Sequence, residues 1–120
     1  MAYDDNNVFA RILRGEIPND TVHEDDQVLA FKDINPQAPV HNVVIPKGRY
    51  TGLNDFAENA TDAEIAAWVR GLAKAAKETG VAESGYRVIV NSGADGGQEI
   101  DHVHGHVMGG GPMGPMVAKG

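Results

Sequence analysis

Residues 100–108 read Ile100-Asp101-His102-Val103-His104-Gly105-His106-Val107-Met108. The run has a period of two. In an extended strand, side chains at i, i+2 and i+4 share one face. The three imidazoles therefore fall on one side, with Cα atoms roughly 6.5–7 Å apart, and Val103, Gly105 and Val107 fall on the other. The run predicts a final strand over Ile100 to Met108. A packed core has little use for such a row, because each ring brings nitrogens that need partners. A merely histidine-rich surface strand, or a tag remnant, is the plain alternative. The alternation with valines and the interior position speak against it. Two chemistries fit the row: a metal site, since imidazole is a good zinc ligand, and a set of phosphate-handling groups with one nucleophile. The spacing alone does not separate them.

Working outward, the preceding loop is Asn91-Ser92-Gly93-Ala94-Asp95-Gly96-Gly97-Gln98. Its small residues, backbone N–H groups and neutral side-chain donors can wrap an anion closely. Beyond Asn91 the only Lys or Arg is Lys119, whereas a triphosphate site normally recruits more positive charge and magnesium. Neutral donors with histidines suit one phosphate of low charge. Before the loop, Tyr86 to Asn91 reads as a strand. Before that, Thr61-Asp62-Ala63-Glu64 is a capping box and Ile65, Trp68, Val69, Leu72 and Ala76 form one apolar stripe. A long helix follows, ended by Gly80, with Gly71 as an internal weak point worth roughly 1 kcal/mol. Thr21 to Glu24 and Gln27 to Asp33 read as strands around an acidic turn, and His41 to Pro46 as another. Val8, Phe9, Ile12 and Leu13 recur at helical spacing, with Asn6 or Asn7 as cap and Gly15 as stop. The first six residues are expected to be loose, and residues 109–120, rich in Gly and Pro, to form an irregular arm. The expectation is one α+β domain over residues 1–120, a mainly antiparallel sheet of about five strands with one long and one short helix.

Composition narrows the function. The 120 residues suit one domain, and the absence of cysteine removes disulfides, thiolate metal sites and cysteine nucleophiles. A net charge of −7 argues against a nucleic-acid backbone as partner. The opening Met-Ala-Tyr-Asp-Asp-Asn-Asn lacks a basic region and an apolar run, and no stretch has the length of a membrane span. A cytoplasmic protein is expected, with no membrane partner.

The row His102 to Met108 resembles the histidine-triad (HIT) signature His-φ-His-φ-His-φ-φ, φ being apolar. Other blocks resemble the HINT branch of that family, in order: Val8 to Ile12, Gly15 to Pro18, Glu24 to Asp26, Phe31 to His41, Val44 to Lys47, Gly85 to Arg87, Gly96 to Glu99, Gly109-Gly110 and Gly114 to Met116. The weakest stretch is 48–84. The resemblance implies a HIT-like fold and a homodimer that hydrolyses purine nucleoside phosphoramidates, and related acyl-adenylates, to the monophosphate without metal or cofactor. It implies His104 as nucleophile, His106 on the phosphate, and His102 behind in a hydrogen-bonded chain with His41. It gives Asp33 the ribose hydroxyls, Val8, Phe9, Ile12, Phe31 and Ile34 the base, and Asn91, Gly97, Gln98 and Glu99 the phosphate. Taken alone, Asp33 reads as a strand-end turn residue and Phe31 and Ile34 as core, while Asn91 reads equally as a strand-end turn residue. Gly105 departs from the usual apolar residue and should loosen packing. Asp101 adds negative charge near an anion site, and Gly111 stands where arginine is common. A metal-dependent enzyme using the row, kept open by Asp101 and Glu99, and a nucleotide-binding interaction protein with little turnover remain as alternatives.

Overall fold

Asn7 takes extended backbone and its side-chain oxygen accepts from the Ala10 N–H, which starts a short helix, α1 (Val8–Leu13). Gly15, at φ 78°, lets the chain leave it. The molecule is a computed structural model that describes residues 2–118. Asp25 Oδ1 accepts the N–H groups of Gln27 and Val28, so the acidic turn closes β1 (Thr21–Glu24) onto β2 (Val28–Lys32). Next come β3 (Val40–Pro46), α2 (Leu53–Asn59), α3 (Asp62–Glu78), β4 (Tyr86–Ile89) and β5 (Gly105–Gly109). The five strands form one antiparallel sheet in the order β1-β2-β3-β5-β4.

The capping box at Thr61 closes in both directions, and α3 runs 17 residues from it. Its stripe covers one face of the sheet, where Trp68, Leu72, Ala75 and Ala76 pack on Val28, Ala30, Val44, Val103 and Val107. Two glycines set how close it comes. A Cβ at Gly71 would stand 2.8 Å from Val28 Cγ1, and one at Gly105 would stand 2.7 Å from Leu72 Cδ2 and 3.3 Å from Trp68 Cζ2. Gly71 is thus a contact point rather than a weak one. Gly105 does not loosen the packing; Trp68 and Leu72 fill the space its side chain would take. Trp68 Nε1 also donates to the Val44 carbonyl at 3.1 Å. On the other face Leu29, Phe31, Val43 and Ile45 meet Phe9 and Ile12 of α1.

Four expectations are corrected. The last strand begins at Gly105, not Ile100, so only His106 of the three histidines lies in it. The ladder between β3 and β5 stops at the pair Val44–Gly105, and the groups beyond it bond elsewhere: Val103 N–H donates to the Tyr50 carbonyl, and the His102 carbonyl accepts from His104 Nδ1. The seven-residue α2 escaped the sequence reading because it has no side-chain cap and buries only Phe56. The first residues are tied down: Tyr3 reaches His102, and Asp5 pairs with Arg49 at 2.8 Å. Gly109 belongs to β5, so the arm starts at Gly110, and Arg87 holds it by donating to the Gly114 and Pro115 carbonyls. Met1, Lys119 and Gly120, the extremes of the expected loose start and arm, lie outside the described residues. No described helix is long and apolar enough to cross a membrane.

Candidate active site

The face of the sheet that α1 only partly covers holds a cavity of about 550 Å³. β2, β3 and β5 form its floor, and α1 and the loop before the histidines form its walls. Phe9 packs its ring edge-on to His104, 4.9 Å between centroids, and to Phe31 at 5.8 Å. The pairing of Val43 with His106 places that ring on the cavity side of the sheet. His104 lies just before β5, with its ring centroid 5.1 Å from that of His106.

The hydrogen bonds fix which nitrogen of each neutral ring carries the proton. A backbone N–H can only donate and a carbonyl oxygen can only accept. Gln37 N–H donates to His41 Nδ1 at 3.1 Å, so the His41 proton is on Nε2. His41 Nε2–H then donates to His106 Nδ1 at 2.9 Å, so the His106 proton is on Nε2. His104 Nδ1 lies 2.7 Å from the His102 carbonyl and must donate to it. Its Nε2 is left with a free lone pair. His102 Nε2 donates to the Pro46 carbonyl at 2.8 Å, so its Nδ1 accepts from the Tyr3 hydroxyl at 2.6 Å.

Burial keeps these rings neutral. Desolvation pushes His102 down to about 4, against the opposing bond to Pro46. Desolvation, helped by the neighbouring His104 and His41, takes His106 to about 4. His104 and His41 are lowered for the same first reason, with Asp33 acting the other way on both.

Of the residues singled out in the sequence, Val8, Phe9, Ile12, Phe31, Asp33, Ile34, His41, Asn91, Gly97, Glu99, His104 and His106 all line this one cavity. Ile34 stands at its rim, 90% exposed. Two residues lie elsewhere. His102 is fully buried behind the wall, and its expected bond to His41 is not made: His41 pairs with His106 instead. Because the strand stops short of His102, its ring turns away to Tyr3 and Pro46. Gln98 holds the loop together, donating to the Thr51 and Ile100 carbonyls and accepting from Gly93 N–H. Asn91 does both, lining the cavity and bonding the Gly96 carbonyl at 2.7 Å.

Several lining residues were missed. Val43 and Met108 could have been found from period two, since each shares a face with His41 or His106. Ile17, Asn19 and Lys32 carry no such signal. Lys32 lines the cavity at the end of β2 but also borders the α3 side of the sheet, with its ammonium 3.7 Å from Asp20. Tyr3 was also missed, since it belongs to no periodic pattern.

Asp33 Oδ1 accepts from Asn35 N–H at 2.8 Å, and its Oδ2 lies 3.3 Å from His41 Nε2. Each oxygen keeps a further lone pair for a ligand. Asp33, His41 and His106 also form a group whose ligand atoms lie within 4.8 Å of one another. The short His41–His106 hydrogen bond would have to break for both nitrogens to bind one ion. The row itself does not converge: His102 spends both nitrogens on Tyr3 and Pro46, and His104 spends Nδ1 on a carbonyl.

The HIT domain family model matches residues 14–113. A HIT-like protein of Azospirillum brasilense is 55% identical over 98% of this chain and 97% of its own length. The purine nucleoside phosphoramidase of Escherichia coli is 45% identical over 92% of each chain. Among solved structures, a HIT family hydrolase from Clostridium thermocellum superposes with a TM-score of 0.84 at 36% identity, over 96% of this chain and 99% of that one. The chain belongs to the HIT domain family and is a hydrolase of that family.

Proposed function

We propose that this hydrolase cleaves purine nucleoside 5′-phosphoramidates, and related acyl-adenylates, to the nucleoside monophosphate through a nucleotidyl intermediate on His104. The observation that carries the reading is the donation from His104 Nδ1 to the His102 carbonyl. It leaves Nε2 unprotonated at a cavity large enough for a nucleoside monophosphate. In the first half, the Nε2 lone pair forms a bond to phosphorus and the P–N bond breaks, its electrons staying on the amine. The amine leaves with a proton taken from water, which His106 Nε2–H orients beside His104. In the second half, the hydroxide left from that water adds to phosphorus and the bond to Nε2 breaks, its electrons returning to Nε2, so that His106 keeps its own proton throughout.

Asp33 is assigned to the ribose hydroxyls, because it lies in the cavity wall with acceptor capacity left on both oxygens. Val8, Phe9, Ile12, Phe31 and Ile34 form the apolar side for a base. Asn91, Gly97 and Glu99 lie along the phosphate, with Gln98 holding their loop. The test is incubation with adenosine 5′-phosphoramidate while AMP release is followed, in EDTA and after metal removal. Undiminished turnover in EDTA favours this reading. Turnover that needs added zinc favours the metal reading at Asp33, His41 and His106.

The working unit is a homodimer. β4 ends the sheet, with Val88 41% exposed on it, and Val69 of α3 is 56% exposed. One twofold surface would cover both and protect the edge. Light scattering at micromolar concentration should give about twice the 12.7 kDa of one chain. The arm held by Arg87 reaches the partner's cavity, so truncation before Gly114 should keep the dimer and change substrate preference.

A further inference from the structure

The N-terminal segment makes a contact that its sequence does not announce. Tyr3 crosses to a histidine 99 positions away and bonds its Nδ1 at 2.6 Å, ring edge against ring at 5.6 Å between centroids. Tyr3 is itself held. The Arg49 guanidinium lies over its ring, 5.1 Å from the centroid, and pairs with Asp5. Arg14 bonds the Asp5 carbonyl from the end of α1.

We propose that Tyr3 is a positioning residue for the reaction: its hydroxyl sets the tautomer and orientation of His102 and, through the His102 carbonyl, the ring of His104. His102 is fully buried, so neither ring nitrogen can turn to water. The Pro46 carbonyl demands a proton on Nε2. Nδ1 then needs a donor, and the Tyr3 hydroxyl supplies it. With both nitrogens occupied, the ring has one orientation. The next peptide is gripped from two sides: Val103 N–H donates to the Tyr50 carbonyl at 2.9 Å, and the His102 carbonyl accepts from His104 Nδ1. Removing the hydroxyl leaves Nδ1 unpaired in a dry site and releases one end of this chain. Tyr50 still holds the other, so the loss should be moderate.

This inference rests on His104 as the nucleophile, and the test separates the two. In the full-length protein, Tyr3→Phe keeps the ring under Arg49 and should lower the thermal midpoint by only a few degrees, the cost of one unpaired buried acceptor, so the protein stays folded in the assay. With adenosine 5′-phosphoramidate, kcat should fall about tenfold with little change in KM, the usual scale for an unpaired buried acceptor. Imidazole nitrogen NMR should show His102 Nδ1 moving to the position of an unbonded, unprotonated nitrogen. An unchanged kcat overturns the proposal, as does a fall in kcat with the His102 nitrogens unmoved. Failure of the nucleophile reading would look different: His104→Ala would keep its turnover while Tyr3→Phe still altered the His102 spectrum.

Discussion

The two faces of the sheet are covered by helices of very different reach. On one face α3 lies along the strands for 17 residues, close enough that Gly71 and Gly105 have no room for a Cβ. On the other face the six-residue α1 covers only part of the surface, and the rest is the histidine-lined cavity. The polar groups differ accordingly. The α3 face admits the Trp68 indole and Asn42, whose amide bonds Thr79 at 2.9 Å. The α1 face carries a chain of imidazoles, each with a defined proton. One face is filled for stability, and the other is left open and wired for chemistry. Substitutions on the open face should therefore cost activity, and those on the filled face should cost stability.

The largest expected effect lies on the open face. His104→Ala should lower kcat by about three orders of magnitude or more, while nucleotide binding weakens only modestly, because a lost nucleophile has no substitute nearby. Retention of more than about a hundredth of the rate would remove His104 from that role. Mass spectrometry of protein quenched during turnover should find the nucleotidyl adduct in wild type and not in this variant.

His102 stands behind the cavity wall, and besides its place in the chain that orients His104 it contributes to stability. Its folded-state value of about 4 lies below the 6.5 of a free histidine, so unfolding takes up a proton at acid pH. The stability this neutral ring contributes is complete above pH 6.5 and is lost as the pH falls toward 4. The upper bound is about 3 kcal/mol. Denaturant melts at pH 7 and pH 4.5 should show the loss. In His102→Gln the dependence on pH should be shallower by about one proton. An equal slope in both proteins would break the link between burial and neutrality.

Asp33 sharpens the assignment within the cavity. A 2′-deoxy substrate should lose roughly 1–3 kcal/mol in kcat/KM, the cost of a hydrogen bond to a charged acceptor. In Asp33→Asn that discrimination should collapse. Equal efficiency of ribo and deoxy forms with wild-type protein would remove the ribose role.

The same contrast explains what was legible in the sequence. The filled face was readable because its signals are periodic: the capping box at Thr61, the stripe from Ile65 to Ala76, and Val103 and Val107 alternating with the histidines. Most of the cavity was readable too, since His41, Asp33, His104 and His106 sit in blocks whose order resembles the HINT branch. What failed was non-local. The end of the histidine strand goes with Tyr50, a residue outside the sheet whose carbonyl takes the Val103 N–H. The turning of His102 toward Tyr3 depends on a side chain 99 positions away. Gly71 and Gly105 looked like weak points because a sequence shows a missing side chain and not the neighbour that occupies its place.

Gly71 offers the smallest effect and the most direct check on the filled face. Alanine at an exposed helical site would stabilise α3 by about 1 kcal/mol over glycine. Here its Cβ would come within 2.8 Å of Val28 Cγ1 and 3.4 Å of Val44 Cγ1. Val28 is β-branched, stiff and fully buried, so it cannot swing aside. Overpacking of this kind costs about 1–3 kcal/mol, which exceeds the helical gain. Gly71→Ala should therefore lower stability by about 1 kcal/mol, a fall of a few degrees in Tm. Turnover should stay at the wild-type value, because the crowded atoms face away from the cavity. Val28→Ala opens the space that the new methyl needs. The double variant should then be more stable than the sum of the two single changes, a coupling expected of residues in direct contact. A higher Tm for Gly71→Ala alone would mean that α3 stands off the sheet.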